Sequence, residues 1–227
     1  MDGYAFKPGS YSSHSVLLAS LPDEGGGHRL LDVGCASGYL SEILAHRGYR
    51  VTGVERPGGS GDAFPSNVRL LEADLEEGLP KLDSRFMYVV CADILEHLRR
   101  PERLLGEIGK CLEPNGRLIA SLPNSGNLYF RLNILLGRFP RDDKGLFDRT
   151  HLHFYMWEGW RDLFERNGFE IDTVRPTAVP VGLALPAMDR WRVVQGLEAV
   201  SYGLARLWMK LFAYQFVVTA RKKATEQ

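Results

Sequence analysis

Short apolar runs alternate with helical patterns or long crossovers through the first half of the chain. The runs lie at residues 29–33, 49–55, 67–74, 85–93 and 116–123. Strands joined in this way, without tight hairpin turns, pair in parallel and are covered by helices on both faces. The alternation therefore predicts an α/β fold with a doubly wound sheet, whose ligands bind beyond the carboxyl ends of the strands.

Helices and two further strands complete the predicted architecture. The helices are predicted at residues 15–21, 39–47, 101–112 and 157–167, and the strands at residues 169–176 and 212–222. We expect one domain, residues 1–227, with a mostly parallel seven-stranded sheet. Residues 124–155 are expected to form a lid, because connections of this length are usually functional. Residues 189–211 predict a helical insertion before the last strand.

The composition excludes some classes of protein. The 227 residues carry 28 basic and 28 acidic side chains, so the formal net charge is zero, whereas proteins that bind nucleic-acid backbones usually carry a basic surplus. The three cysteines, Cys35, Cys91 and Cys111, show neither disulfide nor zinc spacing and fit a reducing compartment. The sequence contains no recognisable secretion signal or membrane-spanning apolar run. We therefore expect a cytoplasmic protein without a nucleic-acid partner.

A loop of small residues follows the first predicted strand, in the stretch LLDVGCASGYL at residues 30–40. The dinucleotide-binding fingerprint G-x-G-x-x-G is not met, because Ala36 and Tyr39 stand at its second and third glycine positions. The phosphate-binding loop G-x-x-x-x-G-K-[ST] fails as well, again at Tyr39. The loop therefore predicts close backbone approach to a ligand that is not a pyrophosphate.

Later motifs identify the ligand through a resemblance. LLDVGCASG is followed, 21 residues after Gly34, by Glu55, and then by LLEADL, VVCADILEHLRRPERLLGEIGKCLEPNGRLIASLPN and DLFERNGFEI. In this order the motifs resemble those of the class I S-adenosylmethionine (SAM) methyltransferases over residues 29–171. The resemblance implies a Rossmann-like methyltransferase fold, SAM as the cofactor and S-adenosylhomocysteine (SAH) as its product.

The resemblance assigns the amino acid and ribose portions of SAM to the first two strands. Asp32 would hold the ammonium group of the methionine tail. Glu55 would accept hydrogen bonds from both ribose hydroxyls, as an acceptor-only carboxylate can. The cradle between them would be formed by Gly34, Cys35, Ala36 and Gly38. Ala36 stands where the family more often has glycine, and its methyl group is expected to narrow the cradle without abolishing binding.

The next two strands are assigned the adenine and methionine sides of the cofactor. Asp74 would contact the adenine amino group, and Leu75 would donate its backbone N–H and pack on the ring. The methionine side would be lined by Cys91, Ala92 and Asp93. The alternative for the whole cluster is a glycine turn that only packs a helix against its strand.

The motif DILEH contains Asp93, Glu96 and His97. It resembles the carboxylate-x-x-Glu-His motif that binds a divalent ion in ubiquinone-pathway O-methyltransferases and small-RNA 3′-end methyltransferases. The letters LEH also occur in metal-free members, where the histidine packs or hydrogen-bonds near the site. Asp93 stands where the metal-binding members have Glu, which shortens its reach. We therefore expect no metal ligands here and no dependence of activity on a divalent metal.

Candidates for removing a proton from a hydroxyl acceptor lie in FDRTHLHFY, with Asp148, His151 and His153. If extended, this stretch places both histidines on one face and Asp148 on the other. His151 is the candidate general base, because imidazole titrates near neutrality. The alternative is a structural histidine at the hinge of the lid. The aromatic and arginine side chains of the lid favour a medium-sized acceptor with an acidic or sugar portion.

The helical insertion carries an apolar stripe at helical spacing, formed by Leu197, Val200, Leu204, Leu207 and Leu211. We expect the stripe to pack beside the sheet edge or to form a homodimer contact. The alternative is contact of Trp208 and Phe212 with a membrane surface.

The sequence favours a SAM-dependent methyltransferase that acts on a hydroxyl oxygen of a small-molecule or glycan-type acceptor. Two alternatives stay open: a metal-dependent RNA 2′-O-methyltransferase and a SAM-binding module without catalysis. The zero net charge and the lack of an obvious basic arm speak against the RNA alternative.

Overall fold

The computed structural model describes residues 9–61, 64–180 and 192–223. Its strands are β1 (Arg29–Val33), β2 (Arg50–Glu55), β3 (Arg69–Glu72), β4 (Phe86–Ala92), β5 (Leu112–Pro123), β6 (Phe169–Pro176) and β7 (Gln215–Lys222). They form one seven-stranded sheet in the order β3-β2-β1-β4-β5-β7-β6. The first five strands pair in parallel, and β7 runs antiparallel between β5 and β6. The predicted α/β fold with a doubly wound, mostly parallel sheet is confirmed.

Helices and strands build two core layers, one on each face of the sheet. The helices are α1 (Ser13–Leu18), α2 (Tyr39–His46), α3 (Pro101–Cys111), α4 (Leu128–Leu135), α5 (Trp157–Arg166), α6 (Arg192–Leu207) and α7 (Met209–Phe212), with a short 3-10 helix at Leu95–His97. Leu31 and Val33 pack in one layer, and Leu30 and Val51 in the other. Because strand side chains alternate between faces, β1 contributes to both layers, which explains its nearly continuous apolar sequence.

The strand order reverses at β1, which has β2 on one side and β4 on the other. Chains that leave neighbouring parallel strands in opposite directions open a crevice at the carboxyl edge of the sheet. Val33 pairs with Cys91, so the loop after β1 and the segment after β4 start side by side at this crevice.

Two boundaries near the start of the chain differ from the prediction. The first helix begins at Ser13 rather than Ser15, because the side chain of Ser12 caps it by accepting the N–H of Ser15. The strand β3 ends at Glu72, two residues before the predicted end. Asp74 therefore lies in the loop beyond β3 rather than at the end of the strand.

Two later strands are also displaced from the prediction. β5 begins at Leu112, directly after α3, rather than at Gly116. β7 begins only at Gln215, because the residues predicted to start the strand close the helix α7. At β7 an apolar sequence continues from helix to strand, so periodicity alone did not locate the change. At β5 the first strand residues include Pro114, Asn115 and Gly116, which favour a turn, so the sequence predicted a later start.

The two insertions differ from the prediction in one added helix, α4, and in the packing of the apolar stripe of α6. α4 lies within the predicted lid, and the side chain of Asn127 caps it by accepting the N–H of Tyr129 at 2.9 Å. The apolar stripe of α6 is exposed at Leu197, Val200 and Leu204, so the prediction that it packs beside the sheet edge is wrong. Residues 189–191, the predicted start of this insertion, lie outside the described residues.

No helix in the described ranges combines the length and apolarity needed to cross a bilayer.

Candidate functional site

The loop after β1 is held in a conformation that suits small residues. Gly34 and Gly38 have φ angles of 75° and 79°, and Ala36 has a φ of 48°, all in the left-handed region. The N–H groups of Gly34 and Cys35 donate to the carbonyl of Val54, at 2.8 and 3.1 Å. Glycine adopts this region without penalty, and alanine does so at a cost of about 1–2 kcal/mol. Ala36 is thus a strained residue in the predicted cradle.

The carboxylate of Glu55, at the end of β2, lies against this loop. Its Oε2 accepts the backbone N–H of Ala36 at 2.8 Å, although the two residues are 19 positions apart. The side chain is mostly buried. The structure therefore brings together the loop and the acidic residue that the sequence motif links.

Asp32, the buried fourth residue of β1, is the second carboxylate at the crevice. The hydroxyl of Ser41 donates to its Oδ2 at 2.6 Å. Burial raises the pKa of Asp32 to about 6; the hydrogen bond from Ser41 opposes the shift, and the charge of Glu55 adds to it. The group therefore titrates close to neutral pH. Ser41 was not predicted, although a small polar residue in the first turn of α2 is a signal that could have indicated it.

Asp93 is the third carboxylate, and it is fixed by two partners that the sequence did not indicate. It is buried, with a φ of 54°. Its N–H donates to the Oγ of Ser121 at 3.0 Å, and the Ser121 hydroxyl donates to its Oδ1. Gln215 donates to the same oxygen at 2.8 Å. Because β7 is antiparallel, Gln215 at its start lies at the same edge of the sheet as Ser121.

A tyrosine and a histidine from outside the predicted site reach the same crevice. The hydroxyl of Tyr39 lies 3.1 Å from Nε2 of His14 on α1. Burial raises the pKa of Tyr39, with the charges of Asp93 and Asp32 adding to the effect, which places the phenol among these groups. His14 lies between Ser13 and Ser15 in the first turn of α1, and no local sequence signal marks it as part of the site.

The remaining cofactor-side residues flank the loop. Cys91 is buried and Ala92 half-buried at the end of β4. Asp74 is exposed, and its Oδ1 accepts the N–H of Glu76 at 3.0 Å, while Leu75 packs partly against the main core. Asp74 and Leu75 thus stand beyond β3, two strands away from the loop after β1.

A second cluster, formed by Glu96, His97 and His151, lies beyond β4. Glu96 is buried, its Oε1 lies 3.9 Å from Nε2 of His151, and the rings of His97 and His151 are 4.7 Å apart. One possible ligand atom from each residue lies within 4.8 Å of the others, so the described residues bring these three together as a possible metal-binding group. Asp93, which the sequence motif grouped with Glu96 and His97, is not a member and is instead bound to Ser121 and Gln215.

The environment of the cluster disfavours the charged forms of its histidines. Burial, and then the neighbouring His97, lower the pKa of His151 to about 4, against the opposing effects of Asp148 and Asp93. Burial also lowers the pKa of His97. Both imidazoles are therefore neutral at pH 7, a form that can accept a proton or bind a metal ion.

The stretch around His151 is not extended at its start, so the predicted arrangement of faces is wrong there. The N–H of His151 donates to the carbonyl of Asp148 at 3.1 Å, which closes a turn. The carboxylate of Asp148 accepts the N–H and hydroxyl of Thr150, at 2.8 and 2.6 Å. The Thr150 hydroxyl lies 3.0 Å from Nδ1 of His97. Nε2 of His153 is 2.9 Å from the carbonyl of Leu98, away from His151.

The lid has a small core of its own. The rings of Phe130 and Phe147 stack at 4.4 Å, and Leu146 and Tyr214 pack with them. The aromatic side chains predicted to form walls for an acceptor therefore pack largely on one another. Among the arginines, Arg131 donates to the carbonyl of Gly126 at 2.7 Å.

Comparison with known proteins agrees with this fold. A family model described as a methyltransferase domain matches residues 9–174. The ubiquinone biosynthesis O-methyltransferase of Aeromonas salmonicida (strain A449) is 33% identical over 129 residues, which cover 52% of this chain and 54% of that protein. The chain thus spans about half the length of the curated relatives it matches.

Solved structures resemble 93% of the chain. A SAM-dependent methyltransferase from Mesorhizobium loti superimposes with a TM-score of 0.64 at 20% identity, covering 93% of this chain and 98% of that one. Magnesium protoporphyrin IX methyltransferase from Synechocystis PCC 6803, with bound SAH, gives a TM-score of 0.56 at 19% identity, covering 93% and 80%. The chain therefore belongs to the methyltransferase-domain family, among the class I SAM-dependent methyltransferases.

Proposed function

We propose that this chain transfers a methyl group from SAM to a hydroxyl oxygen of a small-molecule or glycan-type acceptor. The observation that carries the proposal is the contact between Glu55 and the N–H of Ala36, which joins an acidic residue to a loop of small residues at the strand-order reversal. The name of the Aeromonas relative, an O-methyltransferase, supports oxygen as the methylated atom.

The cofactor would lie along the carboxyl ends of β1 to β4. Glu55 would accept hydrogen bonds from the ribose hydroxyls, and Asp32 would hold the ammonium group. The cradle would be formed by Gly34, Cys35, Ala36 and Gly38. The adenine would lie beside Asp74 and Leu75, and the methionine portion beside Cys91, Ala92 and Asp93. SAM has no phosphate group, which fits a loop that lacks the glycines of pyrophosphate-binding folds.

His151 is the group that we propose removes the proton of the acceptor hydroxyl. Its imidazole is neutral at pH 7 because its pKa is lowered to about 4. The charges of Asp148 and Asp93, which favour the protonated ring, would stabilise the imidazolium that forms. Asp148 is a positioning residue that acts through Thr150 and His97, and His153 is a positioning residue that ties the end of the lid to Leu98.

Formation of SAH tests the proposed activity. The purified chain is incubated with SAM and a panel of phenols, catechols and sugars, and SAH and methylated product are measured together. We expect an ether product from at least one hydroxyl acceptor. SAM binding without SAH formation in cell extract would favour the non-catalytic module instead, and methylation of RNA 2′-hydroxyls would favour the RNA alternative.

A second candidate is metal-assisted transfer, which the grouping of Glu96, His97 and His151 favours. A divalent ion held by these three would lower the pKa of a bound hydroxyl and so replace His151 as the means of removing its proton. Activity in the presence of a chelator separates the two. We expect turnover to be unchanged by the chelator. The metal-assisted route would be established if chelation removed activity, if Mg²⁺ or Zn²⁺ restored it, and if Glu96→Gln abolished this response to metal.

A further inference from the structure

Among the described residues, the exposed large apolar side chains are confined to two segments. Within the described ranges, every large apolar side chain that is exposed lies either at residues 128–156 or at residues 193–208. Proteins that stay monomeric in water usually scatter such side chains singly over the surface. Here the doubly wound core up to Asn127 has none among its described residues, so the two insertions carry a distinct surface.

The helix α4 is apolar on nearly every side, yet little of it is covered. Phe130 is its one buried residue. Leu128, Leu132 and Ile134 are exposed, and 79% of the surface of Leu135 is accessible. A helix that is apolar all round is normally buried in a core or in a membrane.

The helix α6 is amphipathic with its apolar stripe turned outward. Its inner side contacts the protein, where Tyr202 stacks on Tyr11 at 4.4 Å and the Ser201 hydroxyl accepts the N–H of Val179. Leu197, Val200, Leu204 and Leu207 face outward, and Leu207 is 84% exposed. Trp208, which follows, is also exposed.

Hydrogen bonds connect the two apolar segments at the start of α4. The side-chain amide of Asn127, which caps α4, donates to the carbonyl of Ala213 at 2.9 Å, just beyond α7. Asn124 donates to the same carbonyl at 2.8 Å. The start of α4 is thus fixed beside the end of α7, and we call the exposed faces of α4, α6 and Trp208 the insertion surface.

The charges around the insertion surface are predominantly basic. Residues 124–156 contain five basic and three acidic residues, and residues 192–212 contain three basic residues and one acidic residue, Glu198. The chain as a whole is neutral, so this basic surplus is local. Apolar side chains flanked by Lys and Arg, with an exposed Trp, match the chemistry of an anionic lipid surface.

We propose that the insertion surface docks this protein on membranes that contain anionic lipids. The apolar faces of α4 and α6 enter the boundary between headgroups and acyl chains, and the basic residues contact the headgroup phosphates. This goes beyond the proposed methyl transfer and does not depend on it.

Co-sedimentation with vesicles tests the docking. The full chain is mixed with vesicles of phosphatidylcholine alone or of phosphatidylcholine with phosphatidylglycerol, at low and high salt. We expect binding to the mixed vesicles that weakens as salt rises. Leu135→Glu and Leu207→Glu are each expected to lower the partition coefficient about tenfold. Asn115→Glu, the same charge change at the exposed amino end of β5, should bind as the unaltered chain does.

Three outcomes would overturn the docking proposal. The first is failure of the unaltered chain to bind mixed vesicles, and the second is unchanged binding of both glutamate variants. The third is a lipid-free dimer that Leu135→Glu converts to a monomer, which would assign the surface to a second copy of the chain. Melting temperature and SAM affinity, measured without lipid, should be unchanged in all variants, so failure of docking is distinguishable from failure of the proposed function.

Discussion

The proposed contact between Asp32 and the ammonium group of SAM would make SAM binding depend on pH. Its pKa, raised to about 6 by burial, leaves the carboxyl group mostly protonated at pH 5 and mostly ionised at pH 7. The ammonium group of SAM requires the ionised form. We therefore expect SAM affinity, measured by calorimetry, to be about tenfold weaker at pH 5 than at pH 7. Asp32→Asn should bind weakly at both values; equal wild-type affinities at pH 5 and 7 would contradict this role.

The same residue predicts a gain in stability on mutation. A carboxyl group whose pKa is higher in the folded state stabilises the fold below the unfolded pKa, and this contribution is lost as the pH rises through about 6. At pH 7 the buried charge of Asp32 therefore opposes folding of the ligand-free protein. Asp32→Asn, which can keep the hydrogen bond from Ser41, should melt at a higher temperature at pH 7, with the difference shrinking towards pH 4. A lower melting temperature at pH 7 would contradict the burial argument.

We expect SAM binding to be lost when the side chain at residue 34 is enlarged and to be kept when the side chain at residue 36 is removed. A Cβ on Gly34 would lie 2.9 Å from Cδ1 of Ile94, which can move, but its φ of 75° penalises any side chain. Gly34→Val should therefore lose SAM binding while the fold is largely retained. Ala36→Gly removes a left-handed alanine and should keep SAM binding, with a rise in stability of up to about 1 kcal/mol. Normal SAM affinity in folded Gly34→Val would show that the loop only packs α2 against β1.

At the scale of elements, the turn that carries His151 would position the proposed general base. His151→Ala should lower kcat about 10²–10⁴-fold and leave SAM affinity unchanged. Because the pKa of His151 is lowered to about 4, its neutral form persists well below pH 6.5, and kcat at saturating SAM should stay level from pH 8 to pH 5. His153→Ala is the matched control, expected to raise the acceptor KM rather than lower kcat. Wild-type kcat in His151→Ala would remove the general-base role.

The lid is an element with its own core, which makes a local prediction possible. Phe147 is buried and stacks on Phe130 at 4.4 Å. Phe147→Ala should destabilise this core by about 3–5 kcal/mol and speed hydrogen exchange across residues 128–154. Exchange in β1 and β4 should not change. Phe139→Ala, an exposed neighbour, should have a much smaller effect; equal exchange in both variants would show that the lid does not open as a unit.

The parallel half of the fold could be predicted because its signals are local. Each strand from β1 to β5 is an apolar run followed by a turn or helix start, and the loop motif and Glu55 lie at strand ends that topology brings together. α4 could not be predicted, because its outward residues are as apolar as Phe130 and no periodic stripe results. The stripe of α6 was wrongly predicted to pack beside the sheet edge. Helical periodicity identifies an apolar face but does not show whether that face contacts the protein core or solvent.

For the whole molecule, the antiparallel insertion of β7 explains the site contacts that the sequence did not predict. Gln215 reaches Asp93 from 122 positions away because β7 enters between β5 and β6 with its amino end at the binding edge. Likewise, His14 reaches Tyr39 because α1 packs near β5 and β7. Such contacts depend on the order and direction of distant strands, which no local pattern encodes.

The central claim is that the chain binds SAM through Glu55, and calorimetry of Glu55→Gln tests it most directly. Glutamine can keep the hydrogen bond from Ala36 but lacks the charge and the second acceptor oxygen. Hydrogen bonds to charged groups contribute about 1.5–3 kcal/mol each and neutral ones about 0.5–1.5, so SAM and SAH affinity should fall about tenfold. Glu102→Gln, the same change at an exposed position of α3, should bind as the unaltered protein does. Unchanged SAM affinity in Glu55→Gln, or tight binding of NAD instead, would contradict the account.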